Sequence, residues 1–141
     1  MDSQTIYYPI QLAAVKGSVA MMRNILKNPT IDIHICDSKT GVNSFWLAAF
    51  YGHGEVMNLL ANSGIDIMNK HNKTLNNALH VACDRKYPQI VQQLINSDYP
   101  LDDKKKGGLT ALISSCIDDS ELISKLLVRG GANLNVVTDK G

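Results

Sequence analysis

The side chains able to do acid–base, nucleophilic or metal chemistry are few and scattered. Histidines stand at 34, 53, 71 and 80, and cysteines at 36, 83 and 116. No two histidines and no two cysteines fall at the short spacing a zinc site needs. No glycine-rich nucleotide loop and no nucleophile with its base can be picked out. Asp118-Asp119 reads as a helix junction, not a catalytic carboxylate pair, because no shielded pocket adjoins it. In Asp102-Asp103-Lys104-Lys105-Lys106 two aspartates offset most of the lysine charge, so a solvated loop is expected over a phosphate or lipid-headgroup site. His34 and His71 fall in expected loops as solvated side chains, and nothing beside Cys36 argues for a low thiol pKa. The remaining candidates are aromatic and basic: Trp46, then Phe50 and Tyr51 one helical turn later, with Arg85 further on. Such groups anchor protein partners more readily than they catalyse.

The bulk properties narrow the setting. A chain of 141 residues predicts one domain with room for a continuous core. Apolar residues make up 45% and charged residues 19%, values of a folded protein. Formal net charge is +1, so no global field favours nucleic acid or acidic membranes. No apolar run is long enough for a membrane span, and Met1-Asp2-Ser3-Gln4-Thr5 does not open a secretion signal. Three irregularly spaced cysteines do not make a stapled secreted scaffold. An intracellular, cytoplasmic location is expected.

The elements that must position these residues recur. Gly41-Val42-Asn43-Ser44-Phe45-Trp46-Leu47-Ala48-Ala49 aligns with Leu75-Asn76-Asn77-Ala78-Leu79-His80-Val81-Ala82-Cys83. Gly108-Leu109-Thr110-Ala111-Leu112-Ile113-Ser114-Ser115-Cys116 aligns with both. The anchors Phe45, Leu79 and Leu112 lie 34 and then 33 residues apart, and Ile10 lies 35 before Phe45 in a degenerate first copy. The second half repeats as well, from Gly52 to Ile67, Lys86 to Leu101 and Asp119 to Leu134. Residues 44–51 and 55–62 each have apolar positions at helical spacing. Ala48, Ala49, Ala82 and Ser115 are small enough for close helix approach, and Gly52, Gly64 and Gly131 suit tight turns and left-handed stops. One such helix pair cannot bury its own stripe, so neighbours must supply the core.

Four copies in register resemble the ankyrin repeat, whose period is about 33 residues. The resemblance implies an all-α solenoid of stacked helix-turn-helix units with projecting β-hairpin-like loops, or fingers. It sets repeats at about 6–35, 41–69, 75–103 and 108–136 of a single domain spanning 1–141, with 137–141 starting a fifth. The chain is then expected to be a fragment, with Leu126 and Leu127 facing solvent. His80 and His53 take positions that hydrogen-bond adjoining loops in that family, and Cys83 and Cys116 stand in for a buried alanine. Departures also matter: Lys86 replaces the glycine seen at 52, and Asp98-Tyr99-Pro100 replaces Gly64-Ile65-Asp66. These predict that the third unit is the least regular and its 96–107 finger the most mobile. Tyr87-Pro88 starts its outer helix, where proline is acceptable.

Functionally, the resemblance implies a non-enzymatic module with no cofactor and no metal, a monomer that binds another protein through a concave groove and its fingers. Neither nucleic acid nor membrane insertion is expected. The two positions after each small pair bring Phe50 and Tyr51, Asp84 and Arg85, Asp118, and Lys16 to the end of the inner helix. Trp46 precedes them, and the fingers add Lys39, Val42, Lys73 and Leu109. Such arrays are also fused to kinases, ubiquitin ligases and ion channels, which leaves a targeting or autoregulatory segment of a larger protein as the alternative.

Overall fold

The computed structural model describes residues 6–140, so the readings placed on Met1 to Thr5 and on Gly141 lie outside the described residues. The described chain is all-α: α1 Pro9–Lys16, α2 Val19–Leu26, α3 Ser44–Phe50, α4 Gly54–Asn62, α5 Ala78–Asp84, α6 Pro88–Asn96, α7 Ala111–Ile117 and α8 Glu121–Arg129. The odd-numbered helices pack on one another as an inner row and the even-numbered ones as an outer row.

Short polar residues start these helices. The side chains of Ser18, Asn43, Asn77 and Thr110 accept N–H bonds from Met21, Trp46, His80 and Ile113, which satisfies amides that the first turn leaves unpaired. Pro9 and Pro88 sit in first turns, where a missing N–H costs nothing.

Each inner helix ends on one left-handed residue: Gly17, Gly52, Lys86 or Asp119. The next amide then bonds back to Ala13, Ala48, Ala82 or Ser115 at 2.8–3.1 Å. Outer helices close alike on Gly64, Asp98 and Gly131. The third unit is therefore as regular as the second, contrary to expectation. Lys86 (φ 61°) and Asp98 (φ 58°) adopt the glycine conformation instead of abolishing it. A side chain there costs about 1–2 kcal/mol. Lys86→Gly combined with Asp98→Gly is expected to raise unfolding free energy by about 1 kcal/mol after the entropy of glycine is counted. A lowered thermal midpoint by circular dichroism would refute this.

Small residues fill the inner-row contacts, with Ala13, Ala14, Ala48, Ala49, Ala82 and Ala111 all fully buried. Met22, Met57, Leu60, Leu79, Val91 and Leu127 complete a continuous core along the stack. Two expectations are corrected. Leu127 is fully buried and Leu126 partly buried against the rest of the core, while Ile117, Leu122 and Val128 are the large exposed apolar residues of α7 and α8. Cys83 is buried as expected, but Cys116 is exposed, because no described inner helix follows α7 to cover it.

The fingers hold no strand among the described residues; one antiparallel bridge, Lys105 to Leu109, is their nearest approach to a hairpin. Each finger bonds instead to the one before it. Asn72 N–H donates to Thr40 O (2.8 Å), Lys106 N–H to Thr74 O (3.0 Å) and Asp139 N–H to Gly107 O (3.1 Å). The 96–107 segment, expected to be loose, is tied at several points. Tyr99 is buried and its hydroxyl donates to Ile67 O at 2.9 Å, and Lys70 and Asp103 pair at 3.7 Å.

Candidate functional site

The helix α3, Ser-Phe-Trp-Leu-Ala-Ala-Phe, places Trp46 and Phe50 four residues apart on one face. Their rings stack at 5.4 Å with a 15° interplanar angle. Phe50 meets Tyr51, just past the helix end, edge-on at 5.0 Å. From the end of α5, the Arg85 guanidinium carbon lies 4.3 Å from the Phe50 ring centroid, a cation–π contact. Beside this stack the first finger and α3 enclose a groove of about 300 Å³, lined by Tyr7, Asp37, Thr40, Val42, Trp46, Leu47, Phe50, Tyr51 and His71.

Two polar groups of the groove, Tyr7 and Asp37, are shifted from their ordinary pKa values. Burial first, and then the neighbouring Tyr51 hydroxyl to which it is hydrogen-bonded, pushes the Tyr7 hydroxyl above its ordinary pKa. For Asp37, partial burial acts to raise the carboxyl. The N–H groups of Thr40 (3.0 Å) and Lys39 (2.7 Å) outweigh it, and the net value falls below the usual carboxylate range. The groove therefore offers the neutral Tyr7 phenol and an anionic Asp37, with the Arg85 guanidinium at its rim.

The structure sorts the residues singled out from sequence. Tyr51 is 37% exposed, Phe50 is half-buried beneath Arg85, and Lys16, Lys39, Lys73, Asp84, Arg85 and Asp118 are exposed. Asp84 is engaged by Lys105 at 3.1 Å. Trp46 and Val42, expected at the contact surface, are buried, and Leu109 is half-buried. At 7% exposure, Trp46 uses its indole N–H to hold the next finger through Asn76 O at 2.9 Å. His80 does the same one unit on. Its Nδ1 accepts from Asn77 N–H at 3.0 Å, so Nε2 carries the proton and donates to Asp103 O at 2.8 Å. His53 Nε2 lies 3.0 Å from Val15 O, a carbonyl of the last turn of α1 and not of the adjoining loop expected for it.

His71 is not merely solvated. Its ring packs 5.8 Å from Trp46, and Nδ1 accepts from Lys73 N–H at 3.1 Å. The signal was present in the sequence: Asp37-Ser38-Lys39-Thr40 and His71-Asn72-Lys73-Thr74 lie 34 apart, so the imidazole replaces the Asp37 carboxylate as turn acceptor. Tyr7, Asp37 and Thr40 were not singled out, because their place in the groove depends on how the first finger folds back over α3.

Chemistry elsewhere is muted. Burial pushes the Cys83 thiol up to about 12, and burial followed by Asp66 and Asp32 raises Cys36, so neither is an activated nucleophile. The charge block at 102–106 is largely engaged internally: Asp102 accepts from Asn133 N–H, Asp103 pairs with Lys70 and Lys105 with Asp84. No cluster of three metal-ligating side chains occurs among the described residues, and no helix there is long and apolar enough to cross a membrane.

A family model for ankyrin repeats, in three copies, matches residues 67–138, just over half of the chain. No curated protein matches it as a relative.

Proposed function

Because the chain belongs to the ankyrin repeat family, whose members are in general protein-interaction modules, we propose that it is a non-catalytic module that binds a partner protein across the aromatic groove and the adjoining fingers. The observation that carries this reading is Arg85 held over Phe50 beside the half-exposed Tyr51 at the groove mouth. Tyrosine and arginine dominate interface energetics when they are rigid and ringed by neighbours. Here stacking fixes the side chains before a partner arrives, so little entropy is lost on docking. In this reading the exposed Lys16, Lys39, Lys73 and Asp118 belong to the polar surround and tune association rate and salt dependence more than affinity. The module acts as a single copy inside the cell; the three unpaired cysteines support that setting.

Affinity capture with the whole chain as bait, followed by titration of the captured protein, tests this. Tyr51→Ala with Arg85→Ala is expected to weaken binding by about 100-fold, two hot-spot losses of about 1.4 kcal/mol each. The circular-dichroism melt should stay nearly unchanged. Equal loss of helix and of binding would count against the groove.

A further inference from the structure

Arg85 is held in place but engages no acceptor. Its guanidinium carbon lies 4.3 Å from the Phe50 ring centroid, yet the residue is exposed and its side chain makes no ion pair or hydrogen bond among the described residues. Its chain neighbour Asp84 is already taken, with Lys105 Nζ 3.1 and 3.4 Å from the two carboxylate oxygens. A ring contact of this kind restrains the guanidinium while leaving its N–H donors unsatisfied.

Two registers of charge extend from that point. Lys16, Tyr51, Arg85 and Asp118 lie 35, 34 and 33 residues apart at the ends of successive inner helices, and all are exposed. The sign of this row turns negative only at its last place. At the finger turns, 37–40, 71–74, 102–107 and 138–140, Lys39, Lys73, Lys104, Lys106 and Lys140 are exposed and form no ion pair among the described residues. The exposed carboxylates of those turns are Asp102, which accepts Asn133 N–H, and Asp139. Backbone bonds from finger to finger fix the spacing of the lysines.

We propose that the groove mouth and the fingertips take an acidic, extended segment of the partner protein. This rests on the reading of the groove as a protein-binding face and adds the chemistry of what docks there. One partner carboxylate accepts paired N–H bonds from Arg85, and further carboxylates lie along Lys39, Lys73 and Lys106. Asp118 marks where the acidic stretch must stop. Formal net charge is only +1, so a local row and not a global field makes the selection, which favours a short peptide over a nucleic acid.

The probe is a capped peptide with glutamate at every third position among glycine and serine, set against the same peptide with glutamine. Titrated into the isotopically labelled chain, the glutamate peptide should move the Arg85 side-chain N–H and the amides of Lys39, Lys73 and Lys106 saturably, and the glutamine peptide should not. Arg85→Gln should speed dissociation about tenfold, and Arg85→Lys, which keeps the charge but not the fork, should recover only part of that loss. Lys39→Gln with Lys73→Gln and Lys106→Gln should instead slow association about tenfold and flatten its salt dependence, with dissociation unchanged. Lys125→Gln, on the outer row, should alter neither rate. Equal binding of the glutamine peptide would overturn the proposal, as would equal displacement by inorganic phosphate or a Lys125→Gln effect as large as that of the fingertip variants. A captured partner that needs Tyr51 and Arg85, alongside a glutamate peptide that leaves Arg85 unmoved up to millimolar concentration, would overturn this inference and leave the groove reading standing.

Discussion

Leu79→Ala is expected to lower unfolding free energy by about 3 kcal/mol and the thermal midpoint by about 10 °C. Leu79 is 1% exposed and sits on α5, in the middle of the inner row, where α3 and α7 both pack. Truncation leaves a cavity that rigid helix pairs on either side cannot close. In a stack, stability is a sum of unit and neighbour terms, so a hole here weakens two junctions at once. Leu122→Ala, on an exposed site of α8, should shift stability by no more than about 0.5 kcal/mol. Urea titrations followed at 222 nm measure both. A loss below about 1 kcal/mol for Leu79→Ala would mean that the units do not share a core.

The second large effect belongs to His80. His80→Ala removes two hydrogen bonds, leaves Asn77 N–H and Asp103 O without their partner, and opens a void, for an expected cost of about 3 kcal/mol. The same side chain should make stability depend on pH. Burial, its largest influence, lowers the His80 pKa below the ordinary 6.5, with Lys105 and Lys70 acting in the same direction against the Asp103 carbonyl and Asp84. Below 6.5 the unfolded chain takes up a proton that the folded chain resists, because the protonated ring cannot accept from Asn77 N–H. Stability from this group is complete above 6.5 and declines as pH falls through the depressed folded value. Comparing denaturation midpoints from pH 7.5 down to 5 in the wild type and in His80→Gln isolates the effect. Parallel profiles would mean that His80 does not resist protonation.

The architecture was readable because a stack repeats its constraints: small residues where helices touch, left-handed residues where they turn, and, on α3 and α5, one side chain that hydrogen-bonds the next finger. His80 could be given its loop-holding role from its register alone, whereas His53 bonds the last turn of α1 instead of a loop. Trp46 could not, because an indole in that register is equally suited to a surface; only its bond to Asn76 O shows that it does the histidine's task. The third unit misled for a related reason. Lys86 and Asp98 look like broken glycine rules, yet both adopt positive φ in helix stops closed by the next amide, Tyr87 N–H to Ala82 O and Tyr99 N–H to Leu94 O, against a local preference of about 1–2 kcal/mol. The groove was only half visible. Tyr51 and Arg85 follow from helix ends, and the turn role shared by Asp37 and His71 from their 34-residue spacing, whereas Tyr7 enters through loop geometry that no periodicity encodes.

Because the fingertip links at Asn72, Lys106 and Asp139 run through backbone atoms, the outward side chains there can diversify under selection without disturbing the register. A combinatorial library built at 39, 73 and 106 would therefore change what the row displays while leaving its spacing untouched.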